Sequence, residues 1–239
     1  MLWYKAWLET RLRFLISLCG IVFLSSYFVF RQNHQALKIP GHPEWYYHTL
    51  HNGHGLIAVM WLLAVILLTM GGLLREKAIG TSSFTLALPV SRAHLMRVRI
   101  LSSFIQAMAL VIIPWGIMFL VAIATGLPNS FTQALFHAVL LAGGGSVFFA
   151  LAVLTSSAIE GEYTAPAVCF GLVFADIIAM GGGRFQAYSP WAFISGAEYF
   201  NRATGRLTGP IPWVHVIGNV LLAALLTAIA IRVVQKRDF

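Results

Sequence analysis

The stretch "HTLHNGH" places His48, His51 and His54 at successive steps of three, with His34 and His42 nearby. On a helix such steps bring two imidazoles at a time within reach of one metal ion. Gly53 and Gly55 weaken that helix, and no cysteine or well-spaced carboxylate completes a tetrahedral set. A polar helix beside lipid head groups accounts for the same residues and is the favoured reading. No metal is therefore expected, with His48, His51 and His54 as the candidates if one binds. Cys19 and Cys169 each lie inside an apolar run, so neither a disulfide framework nor a cysteine metal site follows.

Asp176 is a carboxylate inside an apolar run. Insertion of such a charge costs about 2.5–3.5 kcal/mol, which raises a functional role such as proton relay. A structural place at the water boundary, or a pairing with Arg184, is favoured over it. Glu160 and Glu162 occupy a turn between two apolar runs, as a partner contact or simply in solvent. Gln106, Pro114 and His137 are polar or helix-bending points in or near apolar runs, and Pro114 is expected to kink its helix. The chain has no G-x-x-x-x-G-K-[ST] loop to cradle phosphates, so it is not expected to be an enzyme that hydrolyses ATP.

The elements that carry these residues follow from composition. Of 239 residues, 59% are apolar and 10% charged, with a mean hydropathy of +0.79. Soluble domains carry about a quarter charged residues, so this chain reads as integral to a membrane. Its net charge of +8 sits at the ends of apolar runs, which excludes a basic nucleic-acid face. Six runs approach the length of a membrane helix: Phe14–Phe30, Leu56–Leu74, Leu101–Ala124, Ala134–Thr155, Ala165–Met180 and Trp213–Val233. The first lacks a cleavage site and reads as a retained span. With the N-terminus inside, eleven Lys and Arg fall on the inner segments and five on the outer, so both termini are expected in the cytoplasm.

Four segments outside the runs look ordered, among them the polar, histidine-rich outer stretch from Arg31 to Gly55. Residues 1–13, with Trp3 and Trp7 beside Lys5, Arg11 and Arg13, suit an interfacial helix. Gly181 to Pro212 is rich in aromatic residues and fits a segment dipping into the outer interface; its "SPW" should start a short helix near Pro190, capped by Ser189. The fourth is "LLREKAIGTSSFTLALPVSR", Leu73 to Arg92. Gly80 can end a helix, Thr81 or Ser82 can cap a new one, and Phe84 and Leu88 fall on one side of it. Pro89 stops it, and Ser91 can cap the next span.

That segment resembles the loop of type-2 ATP-binding-cassette permeases, in which an acidic residue, Gly-Thr, a short apolar helix and "LPVSR" recur. The resemblance implies a coupling helix that docks into a separate cytoplasmic ATPase. By match to the pattern, Arg75, Glu76, Lys77, Gly80, Thr81, Phe84, Leu88 and Pro89 would carry the contact, Glu76 as its polar part and Phe84 with Leu88 as its apolar ridge. The implied architecture is a single all-α permease domain over 1–239: an interfacial helix (1–13), spans one and two (14–74), the coupling segment (75–92) and spans three to six (93–239). An outer re-entrant region lies between spans five and six.

The expected function is the membrane subunit of an ATP-driven exporter in a bacterial inner membrane. ATP and Mg would be bound by the ATPase subunit, with no cofactor in this chain. A second permease copy, or a similar permease, would complete the path within the lipid bilayer, and no nucleic acid is involved. The alternatives are a proton-coupled secondary transporter using Asp176 and a membrane metal-handling protein using the outer histidines. No convincing internal repeat speaks for the first of these.

Overall fold

Lipid offers a backbone amide no hydrogen-bond partner, so long apolar runs fold as helices. A computed structural model of the chain describes residues 2–36, 44–70, 91–127, 130–161, 163–180 and 186–236. The helices are α1 (Leu2–Ala36), α2 (Glu44–Thr69), α3 (Arg92–Ala124), α4 (Phe131–Ala158), α5 (Thr164–Met180), the short α6 (Pro190–Ser195) and α7 (Trp213–Lys236). Five of them, α1, α2, α3, α4 and α7, are long and apolar enough to cross a membrane. At 17 residues, α5 is about 26 Å long, just under a hydrocarbon core of about 30 Å.

The helices run up and down. In the first half of α1, Arg13 donates from Nη1 to the carbonyls of Leu67, in the last turn of α2, and of Met70, the residue just beyond that helix. A cation there complements the negative end of the α2 dipole. Glu9 pairs with Arg99 at 2.7 Å, and Gln106 donates to Thr10 Oγ1 at 2.7 Å, so the first turns of α1 lie along the start of α3. This end of the bundle is the arginine end. At the other, Phe131 of α4 meets Phe119 of α3, and His215 at the start of α7 lies against Phe193 of α6. The first helix therefore starts, and the last one finishes, at the arginine end.

Several boundaries differ from expectation. The separate interfacial helix expected over 1–13 is not a separate element, because α1 runs unbroken for 35 residues. No glycine or proline interrupts Leu2–Phe14, and the Glu9 and Thr10 bonds to α3 hold those turns upright. α2 starts at Glu44, three turns before the expected Leu56, despite Gly53 and Gly55. The expectation of an all-helical chain needs one addition, a two-stranded antiparallel hairpin pairing Phe200 with Leu207 and Asn201 with Arg206.

Two expected caps are present. Ser91 accepts from the His94 amide at the start of α3, and Ser189 accepts from the Ala192 amide with Pro190 at the first position of α6. α3 continues through Pro114. The coupling helix expected over 82–88 lies outside the described residues.

The core runs between α2, α3 and α4, around Trp61, Leu110, Leu141 and Phe148. Gly144 and Gly145 of α4 are what allow it. A Cβ on Gly145 would stand 2.6 Å from the Trp61 ring, and one on Gly144 would stand 2.8 Å from the Pro190 carbonyl oxygen. The glycines thus serve packing inside one chain, with α6 and Trp61 filling the space they leave. Phe23, Ile112 and Leu221 remain about two-thirds or more exposed, as lipid-facing side chains do.

Candidate functional site at the histidine end

Polar side chains buried in an apolar bundle are costly unless paired, so their partners locate a site. The early start of α2 puts His48, His51 and His54 on one helix. His51 stacks on Phe200 of the hairpin at 3.8 Å, and His48 meets the same ring edge-on at 5.4 Å. His54 points into the core, fully buried, and its Nε2 lies 2.8 Å from the carbonyl oxygen of Ile194 in α6.

From α4, His137 is buried beside it, with ring centroids 4.8 Å apart, and its Nδ1 lies 2.8 Å from the Gln133 carbonyl one turn earlier. Trp115 of α3 stacks on His137 at 4.9 Å, the planes 19° apart. His51, His54, His137 and Trp115 each keep a buried ring nitrogen with no hydrogen-bond partner among the described residues. Among the described residues, no group of three His, Cys, Asp or Glu is arranged to hold a metal ion.

The segment between α5 and α7 closes this end through polar contacts. Asp176 Oδ2 accepts from Ser189 Oγ at 3.0 Å and from the Trp191 amide at 3.2 Å. It sits at the positive end of α6 and holds that helix to α5, a structural place for the carboxylate. Gln133 acts as a strand partner for the hairpin. Its Nε2 donates to the Leu207 carbonyl and its Oε1 accepts from the Leu207 amide, both at 2.8 Å. Arg206 lies over the Tyr47 ring at 4.1 Å, a cation–π contact to α2.

Gln133→Leu strands both backbone groups of buried Leu207, at about 1–3 kcal/mol per group. Its thermal unfolding is expected well below that of the unsubstituted protein. Gln133→Glu keeps the acceptor but sets a carboxylate oxygen in place of the amide N–H against the Leu207 carbonyl. It should also unfold below the unsubstituted protein, and faster amide exchange at Leu207 checks the cause. Equal stability of all three proteins would count against the pairing.

The residues singled out in the sequence divide sharply. Arg75, Glu76, Lys77, Gly80, Thr81, Phe84, Leu88, Pro89 and Glu162 lie outside the described residues; Glu160 is exposed just beyond α4. His48, His51 and His54 are brought to one end, but His48 and His51 turn to Phe200 while His54 turns inward. Trp115, Gln133 and Ile194 were not foreseen as their partners, and His137 only as a polar point near a span. Ile194 is 140 residues from His54, with α3 and α4 between them in the chain, and only Gln133 and His137 are a single turn apart, so no local spacing could signal the cluster. The chain matches no family model, no curated protein and no solved structure.

Proposed function

We propose that this chain is the membrane-spanning permease subunit of an ATP-driven exporter, powered by a separate cytoplasmic ATPase. The observation that carries the reading is the segment Arg75–Pro89, which resembles the coupling segment of type-2 ATP-binding-cassette permeases. Five long apolar helices support it, and α5 supplies the sixth crossing in this reading. The arginine end is then cytoplasmic, in a bacterial inner membrane, and the histidine end faces outward.

The way α1, α2 and α3 are joined makes the segment useful as a handle. It connects the end of α2 to the start of α3, and both are tied there to α1 by Arg13 and by Glu9 with Arg99. A pull on the segment moves three helices as a unit. An ATPase docked on it through Glu76, Phe84 and Leu88 transmits its closure to the bundle, and a second permease, identical or similar, completes the path. Purification from the native membrane is expected to bring along an ATPase of roughly 25–35 kDa. Recovery of the chain free of any nucleotide-hydrolysing subunit, with ATP leaving its transport unchanged, would sink the reading.

A further inference from the structure

The nitrogens left over around His54 and His137 can be sorted by what each can do. A carbonyl oxygen only accepts, so the ring nitrogens facing Ile194 and Gln133 carry the hydrogens. His54 is then the Nε2–H tautomer and His137 the Nδ1–H tautomer. This leaves His54 Nδ1 and His137 Nε2 as bare lone pairs, both buried and both without a partner among the described residues. Trp115 Nε1 is the opposite case, a buried donor with nothing among those residues to accept from it. The three rings touch one another, with centroids 4.8, 4.9 and 5.6 Å apart. The indole hydrogen could at best serve one of the two lone pairs, so these three rings cannot satisfy each other. His51 Nδ1, the fourth nitrogen left over, is on a ring 5.9 Å from His137 that is turned to Phe200.

We propose that His54, His137 and Trp115 form a binding site for a single water molecule. The water donates one hydrogen to His54 Nδ1 and one to His137 Nε2, and accepts the indole hydrogen of Trp115. Its hydrogens and one lone pair match the three protein groups, and about three hydrogen bonds is the usual number for a buried water. The alternatives match less well. A cation such as zinc would accept both lone pairs but face the positive end of the indole N–H, and among the described residues no third ligand is arranged to complete its shell. Ammonium has hydrogens for the imidazoles and no lone pair for the indole. His51, 5.9 Å from His137 and stacked on Phe200, closes the side toward the hairpin.

The bound water joins α2, α3 and α4 at one point, and His54 extends the connection to α6 through Ile194. The site is thus one joint, beside those made by Asp176 and Gln133, by which the segment after α5 is locked to the bundle. The test uses the full chain in lipid bilayers with ¹⁵N-labelled histidine and tryptophan, read by water-edited solid-state NMR. The expected spectrum shows the two opposite tautomers and magnetisation transfer from water to both rings. Trp115→Phe keeps an aromatic ring against His137 but removes the donor, and should abolish most of that transfer while His54 keeps its bond to Ile194.

Three results would overturn the site: reversed tautomers, no transfer in the unsubstituted protein, or transfer unaffected by Trp115→Phe. A change in both ring spectra on adding one equivalent of zinc or cuprous ion would replace it with a metal site. Tautomers and transfer in the unsubstituted protein decide the question even where the variant fails to fold.

Discussion

Phe84→Ala is expected to weaken ATPase docking by roughly thirtyfold, the loss of about 2 kcal/mol typical of a buried aromatic anchor. In the proposed exporter, Phe84 and Leu88 form the apolar ridge of the docked segment. Transport should fall toward background, and stimulation of the ATPase by the permease should fall with it. Phe84→Asp adds the desolvation of a charge and should be worse. Glu76→Gln keeps the shape and removes the charge, so its effect is expected to be smaller and to depend on salt. The amount of folded protein in the membrane should stay constant, since these changes are proposed to affect a contact between subunits. Undiminished transport and ATPase stimulation in both Phe84 variants would remove the segment from the mechanism.

Gly144→Ala and Gly145→Ala should both destabilise the bundle, although alanine is the better helix former by about 1 kcal/mol. Packing decides the sign. At Gly145 the added carbon would stand 2.6 Å from Trp61, a fully buried ring fixed by its 2.9 Å bond to the Ala107 carbonyl. At Gly144 it would meet the Pro190 carbonyl at 2.8 Å and Ile194 at 2.6 Å, so α6 itself would have to move. Overpacking of this kind costs about 1–3 kcal/mol, enough to outweigh propensity.

Gly171 in α5 is the control, because a Cβ there meets nothing within 4 Å. Gly171→Ala should be neutral or slightly stabilising. Thermal unfolding in detergent would rank the three, and amide exchange in α6 should rise most for Gly144→Ala. If all three variants proved equally stable, the tight approach of α6 and Trp61 to α4 would be wrong.

Much of the architecture was already readable along the chain, for a simple reason. A span is defined by how many consecutive residues avoid charge, and that count needs no knowledge of neighbours. Five of the six apolar runs lie wholly within helices, and the described part of the other, Leu56–Leu74, lies in α2 up to Thr69. The caps at Ser91 and Ser189 were equally readable, because a cap reaches only three residues ahead. The resemblance of Arg75–Pro89 is also a property of contiguous residues, and it carries the proposed function without any contact from the described bundle.

What escaped was whatever depends on a distant partner. Gly53 argued against a helix where α2 has one. An added Cβ there would make only ordinary contact with the Phe28 ring of α1, at 3.4 Å, and it is the packing of α2 on either side that carries the helix through a residue propensity penalises. The uprightness of α1 rests on Arg99 and Gln106, about 90 residues away. Gln133 and Leu207 are 74 residues apart, and nothing near either suggests a side-chain amide completing a hairpin. The histidines show the difference most plainly. Their spacing pointed to metal or to head groups, whereas Trp115, His137 and Ile194, converging from three other elements, turn His54 into part of a buried hydrogen-bonding centre. Periodicity and capping act within a few residues, but the pairing of a buried polar atom is settled where the helices cross.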